Sequence, residues 1–143
     1  MKEKSSFHFL LLALFVILQS CNHCKLWGVT ELGNNFSLVE SDEDHVALNY
    51  CISSCCDSGI PIVPSNIVEY NSSSKWIIAK SKTYAVTNYW LIDKDFKVKL
   101  EYDNGMKEKI MSHVYGPVDS LIFYKKLEEL RIQLNFKKYV NLQ

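Results

Sequence analysis

The chain has no excess charge of either sign and is poor in the residues that make flexible or repetitive chains. Its 16 basic and 16 acidic residues balance, so no basic surface predicts binding to nucleic acid. With only 5 Gly and 3 Pro among 143 residues, it has neither a collagen-like repeat nor the composition of a disordered chain. The length and the 48% hydrophobic content instead predict one ordinary globular domain.

Motifs for phosphate or nucleophile chemistry are also missing. The sequence has no G-x-x-x-x-G-K-[ST] and no G-x-G-x-x-G, so nucleotide chemistry has no support. No serine lies in G-x-S-x-G, and no Cys–His catalytic signature is present. Asp93 and Asp95 flank a predicted turn, which favours Asp without any paired-carboxylate chemistry. We therefore expect no enzyme, no cofactor and no small-molecule substrate that the sequence can identify; a minor hydrolase stays an alternative.

The longest apolar run is too short to cross a membrane. Phe7–Leu18 is interrupted only by His8 and follows the basic residues Lys2 and Lys4. A membrane-spanning helix needs about 20 apolar residues, whereas a run of this length after a basic start is typical of a secretory signal peptide. We expect residues 1–20 to be a signal peptide that is removed on export.

The end of this run, Leu18-Gln19-Ser20-Cys21, resembles the lipobox of bacterial lipoproteins, with an aliphatic residue, a small residue and then the cysteine. The resemblance implies cleavage before Cys21 and attachment of lipid, palmitate included, to the new N-terminal residue. Multiple acyl chains hold a protein stably on a membrane. A lipoprotein of the bacterial cell envelope, facing the periplasm or the exterior, is the implied location.

A second interpretation of the same stretch is a C-x-x-C motif. Cys21-Asn22-His23-Cys24 has the spacing of a redox dithiol or of half a zinc site. A lipidated Cys21 could neither bind a metal nor cycle with Cys24. The usual setting of a redox motif, the start of a helix in a βαβ unit, is also missing. The lipid interpretation is therefore favoured.

The other four cysteines, Cys24, Cys51, Cys55 and Cys56, are an even number in an exported chain, which predicts disulfides. Neighbouring cysteines do not easily bond to each other without backbone strain. We expect Cys51 to pair with Cys55 or Cys56, and Cys24 with the other. A metal site that adds His45 fits the composition, but no H-x3-H or second C-x-x-C supports it, so no metal is predicted. A thiol-redox factor of the envelope that uses Cys55 and Cys56 stays an alternative.

The mature chain alternates between apolar and polar residues in a way that predicts an antiparallel β meander. The predicted strands cover residues 36–40, 45–51, 66–70, 75–80, 89–92 and 96–102. Pro61 and Pro64 assign the segment from Ile52 to Ser65 to a connection, because proline is excluded from central strands. Residues 107–114 could form either a strand or a helix. Residues 21–35 are expected to be the lipidated N-terminus and a short leader.

A change to helical spacing follows Gly116-Pro117. Proline suits the first turn of a helix and Asp119 suits the positive end of its dipole. From Val118 to about Lys138, one apolar stripe consists of Phe123, Leu127, Leu130 and Leu134. We expect this helix to close the core; a partner-binding helix is the alternative. The expected fold class is α+β, an antiparallel β meander followed by one C-terminal amphipathic helix, in a single domain over residues 36–143.

Three further strings carry a second resemblance: "IPIVPSNIVEYNSSSKWIIAKSK", "YWLIDKD" and "YGPVDSLIFYKKLEELRI". Together they resemble an uncharacterised family of small bacterial lipoproteins, over roughly residues 36–134. In that family a strand pair with a "yIIAk" core precedes a "YwIIDK" strand and a "GP" helix. The resemblance implies a fold and an envelope location but no functional residue. We expect a non-enzymatic binding module with a protein partner: an immunity protein, an inhibitor or an accessory subunit of an envelope system.

Overall fold

The computed structural model describes residues 28–42, 45–64, 66–98 and 105–140. The predicted signal peptide and the predicted lipid site at Cys21 lie outside these ranges. The described residues form nine strands and two α-helices. These are β1 (Val29–Gly33), β2 (Phe36–Asp42), β3 (His45–Cys51), β4 (Gly59–Val63), β5 (Ile67–Ser72), β6 (Trp76–Thr83), β7 (Val86–Asp93), α1 (Met106–Met111), β8 (Val114–Val118), α2 (Ser120–Glu129) and β9 (Lys137–Lys138).

The strands form two antiparallel sheets. The first sheet has the order β1-β2-β3-β4, so each strand pairs with the one before it in the chain. The second has the order β8-β7-β6-β5-β9, in which the two-residue strand β9 returns to cover the free edge of β5. Short connections between consecutive strands favour this antiparallel pairing.

The expected α+β class, an antiparallel meander followed by one C-terminal amphipathic helix, is wrong. The described residues make a β-rich fold of two antiparallel sheets, in which the longer helix, α2, has only 10 residues. A single meander would leave one apolar face of its sheet to a helix too short to cover it. Two sheets that pack face to face bury each other's apolar faces instead.

The second sheet is buried on both faces, as its central strands show. Ile77 and Ala79 of β6 pack into the core shared with the first sheet, whereas Ile78 between them packs under α2. All three side chains are fully buried. The uninterrupted apolar stretch in β6 is therefore the pattern of a strand covered on both sides. The shared core also contains Phe36, Leu38, Leu48, Ile62, Ile67 and Ile92.

Helix α2 is shorter than the predicted helix. Asp119 caps its N-terminus, because the Asp119 Oδ1 accepts a hydrogen bond of 2.9 Å from the backbone N–H of Ile122. Soon after the last helical residue, Arg131 has a φ of +54°, which no helix continues through. Leu134 reaches the same apolar cluster as α2 from the extended segment beyond. The helical spacing of apolar residues in the sequence therefore continues past the residue where the helix ends.

Other segments also differ from the predicted elements. Strand β1 lies inside residues 21–35, assigned to the leader, and it contributes Leu32 to the core. Strand β4 lies in the predicted connection, at the edge of the first sheet, where Pro61 is tolerated. Residues 94–98 form no strand, although a strand was predicted from residue 96 onwards. Gly116-Pro117, expected to start the helix, lies in β8.

The C-terminal segment runs along the β5 edge of the second sheet and reaches the first sheet. The Tyr139 N–H donates to the carbonyl of Val68 at 3.1 Å, and the Tyr139 hydroxyl donates to the carboxylate of Glu40 in β2. Burial, followed by this hydrogen bond, raises the pKa of Tyr139 well above its usual range. Residues near the C-terminus thus help to hold the two sheets together.

Candidate functional site

Three connections meet at one end of the two sheets, around a turn formed by Asn34 and Asn35. Both residues have left-handed backbone, with φ of 52° and 66°. Asn adopts this conformation more readily than most residues, and such turns fit the twist of a β-hairpin. The Asn35 carbonyl accepts from the N–H of Cys51 at 2.6 Å, and the Asn34 Nδ2 donates to the carbonyl of Lys94 at 2.9 Å. The turn therefore holds the end of β3 and the end of β7 in place.

The cysteine loop, residues 51–59, joins β3 to β4 beside this turn. A disulfide links Cys51 to Cys56 and closes the loop. Within it, the Ile52 N–H donates to the carbonyl of Ser58 at 2.9 Å, and the Ser58 N–H donates to the Ser53 Oγ at 2.8 Å. The loop is thus held by covalent and polar contacts, and Ile52 also packs against the core.

Cys55 and Cys56 have left-handed backbone as well, with φ of 52° and 58°. For residues with a side chain this conformation costs about 1–2 kcal/mol each. The loop then needs Gly59, because a Cβ there would lie 2.9 Å from the carbonyl oxygen of Tyr50. Disulfide bonding at both neighbouring cysteines keeps the chain in this strained shape.

The structure places the predicted cysteines as follows. Cys51 pairs with Cys56, one of the two pairings considered from the sequence, and Cys55 is also disulfide-bonded. Cys24 was expected to pair with whichever of Cys55 and Cys56 did not pair with Cys51. Cys24 lies outside the described residues. His45, which was considered as a metal ligand together with these cysteines, begins β3. Cys51 ends β3, so the length of the strand separates the two residues. Among the described residues, no group of three or more His, Cys, Asp or Glu could hold a metal ion.

A first cavity, of about 410 Å³, lies between β1 and the cysteine loop. Its wall includes Glu31 and Gly33 from β1, Asn35 from the turn, and Cys55 and Cys56 from the loop. Its groups are mostly polar and its shape depends on the loop. The disulfides therefore set the geometry of this wall.

Lys94 lies next to the same turn and is only 3% exposed. Its Nζ donates to the carbonyl of Leu32 at 2.6 Å and to the Ser72 Oγ at 2.9 Å. These bonds join the first sheet to the second. Burial lowers the pKa of Lys94, because the charged ammonium loses its hydration. Lys94 makes no salt bridge with any described residue.

A second cavity, of about 520 Å³, opens on the other side of the turn. Asn34 and Asn35 line both cavities, and Lys94, Tyr50 and Phe96 line the second. The rings of Tyr50 and Phe96 are stacked with their centroids 6.1 Å apart. The second cavity is therefore lined by two aromatic residues together with asparagine and lysine residues, and aromatic residues combined with a few polar ones are common in ligand pockets.

Sequence reasoning missed Lys94, because a lysine between two aspartates in a predicted turn is ordinarily solvated. The aspartates behave as turn residues: the Asp95 N–H donates to the Asp93 Oδ1 at 2.9 Å. Asp95 itself lies 3.9 Å from the Lys75 ammonium, and its side chain is 77% exposed. The one available signal was the string "YWLIDK", which matches the "YwIIDK" strand of the resembled family and ends on this lysine.

The fold and this end of the molecule define a class: a small β-rich domain of two packed antiparallel sheets, with a disulfide-closed loop and two cavities around an asparagine turn. The chain belongs to the family described as "Protein of unknown function (DUF3997)", whose model matches residues 33–141. The expected membership in an uncharacterised family is thereby confirmed. Comparison with curated proteins and with solved structures gave no match. No helix in the described part of the chain has the length and apolarity to span a membrane.

Proposed function

We propose that this protein is an exported, lipid-anchored protein of the bacterial cell envelope that acts as a non-enzymatic binding module for a protein partner. An immunity protein, an inhibitor and an accessory subunit of an envelope system all fit this description. The single observation that carries the proposal is the oxidised state of the cysteine loop. The lipobox-like sequence that ends at Cys21 supports the anchor.

Oxidised cysteines support export because disulfides persist in oxidising compartments and are rare in the cytosol. Cys51 and Cys56 are bonded to each other, and Cys55 takes part in a disulfide as well. A loop that depends on disulfides for its shape is suited to the space outside the cytoplasmic membrane. A signal peptide over residues 1–20 would deliver the chain there.

The groups around the asparagine turn favour a binding function over a catalytic one. The amides of Asn34 and Asn35 and the Tyr50 hydroxyl are hydrogen-bond donors or acceptors held in fixed positions. The ring of Phe96 adds an apolar contact surface. Rigid polar groups beside aromatic rings are typical of recognition surfaces.

A thiol-redox function has weaker support. Thiol exchange requires that a disulfide sulfur be accessible to an attacking thiolate. Cys51 is 8% exposed, and the Cys51–Cys56 bridge closes a loop that is pinned by backbone hydrogen bonds. These features are those of a structural disulfide.

Labelling cells with radioactive palmitate tests the anchor. Cys21→Ser should abolish the label and leave an uncleaved precursor, because the thiol is the lipid acceptor. Cys24→Ser is the matched control, and it should retain the label. Cleavage of the Cys21→Ser precursor at another site, or a label that persists in it, would contradict the proposal.

Site-specific photo-crosslinking in intact cells tests the binding module. A photoreactive residue at Lys97, exposed on the rim of the second cavity, should crosslink to one specific envelope protein. The control position is Tyr84, which is 98% exposed in the β6–β7 turn, at the opposite end of β7, a strand of eight residues that spans about 26 Å. Equal crosslinking from both positions, or none from Lys97, would count against this end as the binding surface.

A further inference from the structure

The second disulfide of the cysteine loop connects the loop to the start of the chain. Cys51 and Cys56 are bonded to each other, and Cys55 is disulfide-bonded as well. The two other cysteines of the sequence, Cys21 and Cys24, lie before the first described residue, so the partner of Cys55 within this chain is one of them. A lipidated Cys21 has no thiol to offer. With the proposed lipid anchor, the partner is therefore Cys24.

The N-terminal segment, defined as residues 22–27, is long enough to make this bond. It joins β1 through Gly28, and Glu31 of β1 lines the first cavity together with Cys55. The distance along the strand from Gly28 to Glu31 is about 10 Å. The chain from Gly28 back to Cys24 reaches up to about 14 Å, and the disulfide itself adds about 5–6 Å between Cα atoms. A segment that folds back along β1 therefore reaches the cysteine loop.

Gly28 is suited to such a change of direction. It lies in a turn with a φ of +67°, a backbone conformation that glycine adopts without strain. A Cβ at this position would lie 2.9 Å from the Cβ of Glu40, so a side chain does not fit there. The Gly28 carbonyl accepts a hydrogen bond of 3.0 Å from the Glu40 N–H, which fixes the turn against β2. The chain therefore turns where the N-terminal segment joins β1.

The first cavity lies on the face of the first sheet that is turned away from the shared core. Val29 and Glu31 line the cavity, whereas Leu32 packs into the shared core. Val29 is only 5% exposed, although it belongs to neither apolar cluster of the described residues. Ser37 also lines the cavity and is equally buried. A chain segment that lies over this face accounts for the burial of both residues.

The composition of the N-terminal segment also matches the cavity. Glu31 is the one charged residue among the described residues that line the cavity. The segment contains Lys25 and no acidic residue, so the two charges are complementary. Leu26 and Trp27 are apolar, and burying them next to Val29 removes apolar surface from water. Charge and apolar content therefore both favour contact between the segment and this face.

We propose that the N-terminal segment docks over the first cavity, fastened by a disulfide between Cys24 and Cys55, and that this bond places the lipid anchor at the cysteine-loop end of the molecule. The inference rests on the proposed lipid anchor at Cys21. The bond forms by thiol–disulfide exchange. The two thiols lose two protons and two electrons to a disulfide-bearing oxidant of the compartment outside the cytoplasmic membrane, and this oxidant leaves as a dithiol.

The bond changes the end from which the anchor leaves the domain. Gly28 is bonded to Glu40, which pairs with Val46 near the start of β3, whereas the cysteine loop follows the end of β3. Without the bond, Cys21 lies anywhere within about 25 Å of Gly28. With the bond, Cys21 lies within about 11 Å of Cys24. The cysteine-loop end of the two sheets therefore faces the membrane.

Peptide mapping of the full-length protein, purified from membranes in detergent, tests the bond. The protein is denatured, its free thiols are alkylated, and it is digested with trypsin without reductant. Trypsin cuts after Lys25 and next after Lys75, so one peptide carries Cys24 and the following peptide carries the whole cysteine loop. Mass spectrometry should find the two peptides joined, and reduction should separate them. Separate peptides before reduction would overturn the proposal.

Two variants identify the cysteine that makes the bond. Cys24→Ser should give separate peptides without reductant, because it removes the partner of Cys55. His23→Ser introduces the same residue one position earlier and should leave the peptides joined. Peptides that stay joined in Cys24→Ser would assign the bond to Cys21 and overturn the proposal. Palmitate labelling reports on the anchor alone and peptide mapping on the bond alone, so the failure of one is distinguishable from the failure of the other.

Fluorescence quenching in proteoliposomes tests the orientation. A fluorescent amino acid is incorporated at Ser54, exposed in the cysteine loop, or at Tyr84, exposed at the other end of β7, and the lipids carry a nitroxide quencher on their headgroups. Quenching at Ser54 should exceed quenching at Tyr84 at least threefold. Cys24→Ser should reduce this difference, because the anchor is then tied only to Gly28. Equal quenching at both positions, or a difference that Cys24→Ser leaves unchanged, would overturn the proposal.

Discussion

Replacing Phe123 with alanine should remove much of the attachment of α2 to the second sheet. Phe123 is fully buried, and its ring contacts those of Tyr89 and Phe136, with centroids 5.2 Å and 5.7 Å away. Its neighbour Leu121 in the same helix is 81% exposed. Both residues are apolar, but the structure buries one and exposes the other, because they lie on different faces of the helix.

The magnitude follows from the buried area. A phenylalanine buries about 150–250 Å², which at about 25 cal/mol per Å² is roughly 4–6 kcal/mol before the compactness of the unfolded chain is counted. That correction lowers the value by about 10–40%, to near the 3–5 kcal/mol range found for buried Phe→Ala changes. Leu121→Ala should cost less than about 0.5 kcal/mol, as is usual at exposed positions.

Urea unfolding followed by tryptophan fluorescence measures both changes on the same scale. The slope of the free energy of unfolding against urea should stay constant, so the midpoint alone should shift for Phe123→Ala. A loss below about 1 kcal/mol for Phe123→Ala would refute the packing of α2 on the second sheet. A loss for Leu121→Ala equal to that for Phe123→Ala would mean that the helix presents the opposite face.

Two further predictions concern buried polar groups. Ser81→Ala should lower the free energy of unfolding in urea by about 1–3 kcal/mol, because the Ser81 Oγ accepts the hydrogen bond of the buried Trp90 Nε1–H at 2.9 Å and alanine leaves that donor unsatisfied. Ser74→Ala, at an exposed position, is the control. Equal losses of stability in the two variants would contradict the role of this bond. Tyr139→Phe should cost about 1.5 kcal/mol at neutral pH, the low end for a bond to a charged group such as the Glu40 carboxylate. The folded-state pKa of Tyr139 is raised, so this contribution is complete below the unfolded pKa of about 10 and is lost as the pH rises above it. Unfolding measured between pH 8 and 11.5 should therefore show the difference between wild type and variant shrinking above about pH 10, and a difference that grows there would contradict the argument.

Local patterns predicted most strands because the strands alternate or are uniformly apolar. β3 matched its predicted bounds, and the β5–β6 hairpin was found from the polar residues between its strands. The assembly of the strands into two sheets could not be found in the same way. Which apolar face packs against which is decided by a core that joins residues far apart in the chain, such as Leu38 in β2 and Ile92 in β7.

The helix was overpredicted for a related reason. Apolar residues spaced every three or four positions also occur when a helix ends and the following extended segment stays on the same apolar surface. Leu130 is 41% exposed, whereas Leu134 is part of the cluster under α2 from outside the helix. The left-handed residue Arg131 between them carries no sequence signal of the kind that glycine gives.

Only the cysteine part of the candidate site was predictable from the sequence. Cysteine is scarce and its chemistry is narrow, so four cysteines beyond a predicted export signal already predicted disulfides. Lysine is common and usually solvated, and nothing next to Lys94 in the sequence indicates that the neutral acceptors Leu32 and Ser72 surround its ammonium. A buried charge is a property of the assembled sheets.

Pro61 has a further consequence. It lies in β4, at an edge of the first sheet that no other described strand covers. An open edge invites a strand of another molecule to pair with it, which is a common start of aggregation. A proline in such a strand has no N–H to offer, so a continuous ladder of hydrogen bonds with an incoming chain is interrupted there. Pro61 was the reason that β4 was predicted to be a connection rather than a strand. In the folded protein the same residue disfavours self-association along this edge.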